Sequence, residues 1–175
     1  MTTVHLATFD TPVGPMRCAS TREGLVWVEL PRANGCGFAG WRARFAPGAQ
    51  VREAWSPNRQ AVGQILEYLE GKRRRFELLL DLRATAFQRR VYDVVQAIPF
   101  GETRSYADVA EAVGSPAAAR AVGSANGANP LPLVVPCHRV VARGGKLGGY
   151  GGGLALKRWL LAMEHAGRPA ADELL

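Results

Sequence analysis

The residues with the most chemistry to offer lie together at 131–141, LPLVVPCHRVV, where Cys137 sits between Pro136 and the pair His138-Arg139. Pro136 holds its own φ at about −65° and biases Val135 to an extended form, so the approach to the cysteine is stiff. The thiolate is the nucleophile of cysteine chemistry, and a nearby imidazole or guanidinium lowers a thiol pKa towards neutrality. A lone cysteine is more often a small buried hydrophobe. Here the adjacent His and Arg are unusual company for a core residue, and they favour a reactive Cys137. Neighbours in an extended strand point to opposite sides, so His138 is expected to reach the thiol through a water.

Two features downstream belong with this stretch. The tract 144–153, GGKLGGYGGG, has seven glycines in ten residues and cannot be a regular element. It is not a phosphate loop of the GxxxxGK[ST] kind. A flexible linker is the plain alternative, but Lys146 and Tyr150 inside it suggest a loop that closes over a ligand. The spacing then predicts a helix over 154–166, packing Leu156, Leu160, Leu161 and Met163. Glu164 falls in its last turn, where a carboxylate opposes the helix dipole, so a partner elsewhere is expected.

The elements that must position these groups begin near residue 84, where the punctuation turns helical. Thr85 with Gln88 makes a capping box for a helix carrying Phe87, Val91, Val94, Val95 and Ile98. Ser105 with Asp108 caps a second helix bearing Tyr106, Val109, Ala110 and Val113. Gly114 stops it, and Ser115-Pro116 is read as N-cap and N1 of a third over 117–125. Two short helices joined by a glycine turn match a helix-turn-helix, although an ordinary αα-hairpin is the commoner object. The third helix is Ala, Gly and Val around a lone Arg120, a surface able to lie close to a groove.

Residues 1–83 read differently. Strands are expected over 5–9, 16–20 and 24–30, the last two forming a hairpin. A glycine-rich loop over 31–40 and a short helix over 41–45 follow. Asn58 is read as the cap of a helix reaching Glu70, with Val62, Ile65, Leu66 and Leu69 on one face, and 76–82 as a last strand. The run Lys72-Arg73-Arg74-Arg75 is a solvated loop on this reading rather than a nucleic-acid patch.

With 47% apolar and 21% charged residues the 175-residue chain is a globular one, not a disordered one. No apolar run approaches ~18 residues, so no membrane helix is expected. No secretory signal is visible, and Cys18, Cys36 and Cys137 have no CxxC spacing, which argues for a reducing cytoplasm over a disulfide framework. His5, Cys18 and Cys36 are too scattered in sequence to be read as a metal site. A net charge of +7 suits a polyanionic partner, but its spread over both halves locates no face.

At SYADVAEAVGSPAAARAVGSANGANPLPLVVPCHRVV and GYGGGLALKRWLLAMEHAG the chain resembles the O6-alkylguanine-DNA alkyltransferase family, whose active-site signature is PCHRV. The similarity runs from about Phe87 to Gly167, with a looser match at TPVGPMRCASTREGLVWVEL and FELLLDLRATAFQ. The resemblance implies an α/β N-terminal domain with a ribonuclease-H-like sheet, 1–83, and a mainly α, winged-helix-like DNA-binding domain, 84–175. It implies a single-turnover DNA repair protein in which Cys137 accepts the alkyl group from O6 of a flipped-out guanine in double-stranded DNA. His138, oriented by Glu164, would take the thiol proton through a water. Tyr106 would donate to N3 of the base, and Asn129 would hold the turn framing the site. Carbonyls of Val135 and Cys137 would read the exocyclic amine. Pro136, Tyr150, Gly151 and Gly152 would complete the pocket. Arg120 would fill the vacated space in the duplex, with Ser115, Ala119, Ala121, Gly123 and Asn126 on the minor-groove surface. No cofactor, no metal and no membrane partner are implied, and a cytoplasmic monomer is expected, with cooperative assembly on DNA left open.

One departure stands out: Gly151 occupies a place where the family often has serine, which implies altered substrate tolerance. There is no second acceptor-cysteine context, so a transcriptional role is not expected. Two other readings stay open from sequence. One is a lesion binder without transfer, against which Cys137 argues. The other is a thiol hydrolase, which needs an oxyanion hole that the residues do not supply.

Overall fold

Largely buried strands open the computed structural model, which describes residues 1–33 and 37–167. Strands β1 (Thr3–Phe9), β2 (Met16–Thr21) and β3 (Gly24–Glu29) pair antiparallel in sequence order. Helix α1 (Gly37–Phe45) leads to β4 (Gln50–Glu53), which pairs parallel with β1, giving the order β3-β2-β1-β4. Val4, Leu6, Ala19 and Val26 on one face of this sheet pack with Phe38 and Trp41 of α1. The ring of Trp27 lies 6.0 Å from that of Trp41, adding aromatic contact to the burial. Helix α2 (Arg59–Leu69) buries Val62 and Ile65.

Three expectations for this part are corrected, and one strand was not foreseen. Helix α1 begins at Gly37, inside the anticipated loop; Cys36 lies outside the described residues. Strand β4, with its mostly exposed QVRE sequence, gave no alternation to read. Residues 76–82 form no strand and touch β3 by a single bridge, Leu25 to Leu80. At Glu77 a side chain satisfies the backbone instead: Glu77 N–H donates to Gln64 Oε1 at 2.8 Å and Gln64 Nε2 donates to Glu77 O at 3.1 Å. Asn58 does not cap α2 with its side chain. Its buried amide donates to the carbonyls of His5 (3.0 Å) and Ala54 (2.9 Å) and accepts from Ser20 Oγ (2.8 Å), so it fastens β1 and β2 to the start of the helix.

Later in the chain come α3 (Ala86–Gln96), β5 (Arg104–Ser105), α4 (Tyr106–Ala112), α5 (Ala119–Gly127), β6 (Val140–Val141) and α6 (Leu154–Ala166), with β5 and β6 paired in parallel. Both capping boxes form, at Thr85/Gln88 and at Ser105/Asp108. The core gathers Val91, Tyr92, Val95, Val109, Ala110, Val122, Ala125 and Leu160, and Tyr92 Oη donates to Ala125 O at 2.8 Å. Gly114, at φ +79°, ends α4 with Gly114 N–H on Glu111 O and Ser115 N–H on Ala110 O, both 2.9 Å. Ser115 is thus consumed in closing α4, and its carbonyl accepts from Ala118 N–H. The next helix therefore starts at Ala119, without a side-chain cap, instead of at the expected Ala117.

By contacts between residues the chain divides into Met1–Ala84 with Pro130–Pro132, and Thr85–Asn129 with Leu133–Leu175. Among the described residues no helix is long and apolar enough to cross a membrane.

Candidate active site

The stiff approach to Cys137 is an inverse γ-turn. Pro136 sits at φ −79°, ψ 64°, and Cys137 N–H donates to Val135 O at 2.7 Å. A 3-10 turn, Cys137–Arg139, follows, with Arg139 N–H on Pro136 O at 2.9 Å. Cys137 and His138 therefore stand on a turn and not on the extended strand expected, because the γ-turn reverses the chain just before the thiol. Leu133, buried three residues before Pro136, holds φ at +73°. Asn129 Nδ2 donates to Val135 O at 2.8 Å, bracing the turn from the end of α5. With the Cys137 amide this gives Val135 O two donors.

Cys137 is 7% exposed. Burial pushes its pKa up, and a hydrogen bond from the Asn129 side chain, the charge of Lys157 and the backbone of Cys137 and His138 only partly offset this. The lowered pKa anticipated from the neighbouring His and Arg is absent for a geometric reason. Arg139 turns away, with Nη2 at 2.8 Å and Nε at 3.0 Å from the Glu164 carboxylate and Nη1 at 2.7 Å from Ile98 O.

His138 and Glu164 are both fully buried, with His138 Nε2 at 2.8 Å from Glu164 Oε1. Burial lowers the His138 pKa, and the Glu164 contact does not restore it. A neutral imidazole donating from Nε2 to the carboxylate leaves Nδ1 as the basic nitrogen. Burial alone would raise the Glu164 carboxyl, but His138 and Arg139 hold it well below the usual carboxylate range. Gly101 N–H adds a further donor at 3.1 Å. This is the partner anticipated for a carboxylate placed at the wrong end of a helix.

Around the thiol the remaining residues come from α4, the glycine tract and α6. Tyr106 is half-buried, and burial followed by the nearby Cys137 raises its pKa, against a smaller opposing effect of the Gly149 backbone. Gly148, at φ +69°, lies so close that a Cβ there would stand 2.7 Å from Tyr106 Oη. The Tyr150 ring stands edge-on to His138 at 6.4 Å. Gly151 and Gly152 are half-buried in the turn before α6. On α5, Arg120 and Ala121 are exposed, and Ala119, Gly123 and Asn126 half-buried, as is Ser115 in the preceding turn. A Cβ on Gly123 would be 3.9 Å from the Tyr106 ring, so α5 approaches α4 closely there. Both amide atoms of Asn126 are buried without a hydrogen-bond partner among the described residues.

Lys157 was not anticipated. It is fully buried, and its Nζ donates to the carbonyls of Val140 (2.7 Å), Leu147 (2.5 Å) and Gly149 (3.1 Å). Lys157, Leu160 and Glu164 are the buried residues of α6, whereas Leu156, Leu161 and Met163 are only half-buried. Their i, i+3, i+7 spacing was the available signal: one lysine and one glutamate on the same stripe as a core leucine. Elsewhere, burial drives the Cys18 thiol up to about 12. Among the described residues no three His, Cys, Asp or Glu side chains are placed to share a metal ion.

Three comparisons bear on this geometry. The family model for the 6-O-methylguanine DNA methyltransferase DNA-binding domain matches residues 86–166. A methylated-DNA–protein-cysteine methyltransferase of Mycobacterium tuberculosis is 42% identical over 171 residues, covering 95% of this chain and 96% of that protein. A constitutive one of Bacillus subtilis is 38% identical, covering 91% and 94%. The crystal structure of M. tuberculosis OGT in complex with DNA superposes with a TM-score of 0.81 at 40% identity, covering 97% of each chain.

Proposed function

The chain belongs to the methylated-DNA–protein-cysteine methyltransferase family, and from that membership we propose that it repairs DNA by moving the alkyl group from O6 of guanine onto its own Cys137. The thiol proton passes through a water to His138 Nδ1, and the imidazolium so formed is stabilised by the Glu164 carboxylate 2.8 Å away. The sulfur attacks the alkyl carbon, a carbon–sulfur bond forms, and the carbon–oxygen bond breaks with its electron pair on O6. Tyr106, kept protonated by its raised pKa, gives its proton to N3, so that guanine departs neutral and a phenolate remains to balance the His138 imidazolium. The product is a thioether, and each molecule acts once.

The target base cannot be reached while stacked, so the nucleotide is extruded from the duplex. The exposed Arg120 on α5 enters the vacated space from the minor groove, where a surface of Ser115, Ala119, Ala121, Gly123 and Asn126 permits close approach. Degenerate readout in that groove suits repair at any sequence. Residues 84–175 hold every residue assigned a role here, and the protein acts as a monomer in the cytoplasm without metal or cofactor. O4-alkylthymine is a second candidate substrate, and Gly151 adjusts tolerance for the alkyl group.

The observation that carries the reading is the buried arrangement in which Cys137, braced by Asn129, shares one turn with a His138 hydrogen-bonded to Glu164. Its test is the intact mass after incubation with a duplex carrying one O6-methylguanine, followed by peptide mapping. One added methylene unit on the Cys137 peptide, stopping at one equivalent, is expected, and Cys137→Ala should bind the duplex but gain nothing. Lesion-dependent binding without a mass change would make this a lesion reader instead.

A further inference from the structure

Lys157 has no part in the chemistry above, yet its side chain is fully buried without a carboxylate partner among the described ion pairs. An unpaired buried ammonium is costly, and this one is kept by three carbonyls that use its three donors. The acceptors come from two places. Val140 follows the active-site turn, whereas Leu147 and Gly149 flank Gly148, the glycine pressed against Tyr106. The ammonium also stands 5.9 Å from the centre of the Tyr106 ring. Its positive charge favours ionisation of the Cys137 thiol, against the burial that opposes it.

We propose that Lys157 is a positioning residue for the transfer: it fastens the 147–149 limb of the glycine loop to Val140 and supplies the positive charge that faces Cys137 as its thiol ionises. The proposal rests on the alkyl-transfer reading for its purpose, but not for its test. The groups that face Lys157 are Tyr106 from α4, Cys137 and His138 from the active-site turn, and the three carbonyls. Burial brings the Lys157 pKa down to about 8, against the opposing pull of a Cys137 anion. Below that pH a thiolate forms beside an ammonium; above it, loss of the lysine proton competes with loss of the thiol proton.

The experiment uses the whole chain and iodoacetamide, with the Cys137 peptide followed by mass spectrometry across the neutral and alkaline range. In the wild type the labelling rate should climb with pH, then level off near the Lys157 pKa of about 8. Lys157→Met should label about ten-fold more slowly at neutral pH, the equivalent of about one pKa unit, and climb without levelling. Amide exchange at 147–150 should quicken in it, and Lys157→Arg should restore both slower exchange and faster labelling. A Met variant with the wild-type profile overturns the proposal. So does a wild-type rate that rises straight through the alkaline range, a result available even if the Met variant does not fold. No alkylguanine enters this assay, so failure of DNA repair and failure of the lysine role are read separately.

Discussion

Replacing Glu164 by Gln tests the buried network most severely. The carboxylate accepts from His138 Nε2 at 2.8 Å, from Arg139 Nε and Nη2 at 3.0 and 2.8 Å, and from Gly101 N–H at 3.1 Å, all without solvent. Gln keeps the shape but removes the charge and turns one acceptor into a donor, leaving the Arg139 guanidinium buried without its anion. Breaking a buried pair in this way costs roughly 3–5 kcal/mol. For a chain of this size each kcal/mol moves Tm by about 2–4 °C, so a fall of roughly 10 °C is expected. Transfer should slow by about 10²-fold, since His138 loses both its orienting partner and the anion that stabilises its protonated form. The pH dependence carries a sign. Glu164 has a depressed pKa in the folded protein, so its stabilisation is complete above the unfolded carboxylate value of about 4.3 and disappears as pH falls further. Buried neutral His138, also depressed, adds a loss beginning below about 6.5. Urea denaturation of both proteins as a function of pH should therefore show a steep acid loss in the wild type and a flatter one in Glu164→Gln. Equal stabilities and equal single-turnover rates at neutral pH would refute the account of the network.

Gly148→Ala should slow transfer and lower Tm, because the new Cβ would meet Tyr106 Oη at 2.7 Å from a φ of +69°, whereas Gly149→Ala, with nothing within 4 Å, should do neither; stopped reactions on O6-methylguanine duplex give the comparison. Arg120→Ala should weaken reaction with a lesion in duplex DNA far more than reaction with the free base O6-benzylguanine, and equal losses on both would remove its role at the vacated space.

Local signals were legible in the sequence where they were also decisive. The boxes at Thr85/Gln88 and Ser105/Asp108 form because the bonds that define them span three residues, and the hairpin of β2 and β3 forms because its turn does. Glu164 was legible as a misplaced charge, although not as a partner of Arg139, 25 positions away in sequence. The failures share one cause, which is competition for a residue by a distant or hidden partner. Asn58 has a cap's chemistry but is drawn to His5, 53 positions away. Gln64 saturates the backbone of Glu77 and forestalls a strand that propensity favours. Lys157 hid behind the usual expectation that a lysine on an amphipathic helix faces water. Adjacency in sequence is not proximity of charge at the thiol, because the Arg139 guanidinium points to Glu164 and Ile98.

The upward shift of the Cys137 pKa bears on the proposed reaction, in which each transfer consumes its acceptor. A sulfur that rested as an exposed thiolate would meet peroxides, disulfides and metabolic electrophiles continually, and any such encounter would retire the molecule with no lesion removed. Burial holds the thiol pKa up and leaves Cys137 7% exposed, which slows its reactions in the idle protein. Slowness towards strangers is thus a form of selectivity, achieved by withholding the nucleophile and not by recognising the intruder.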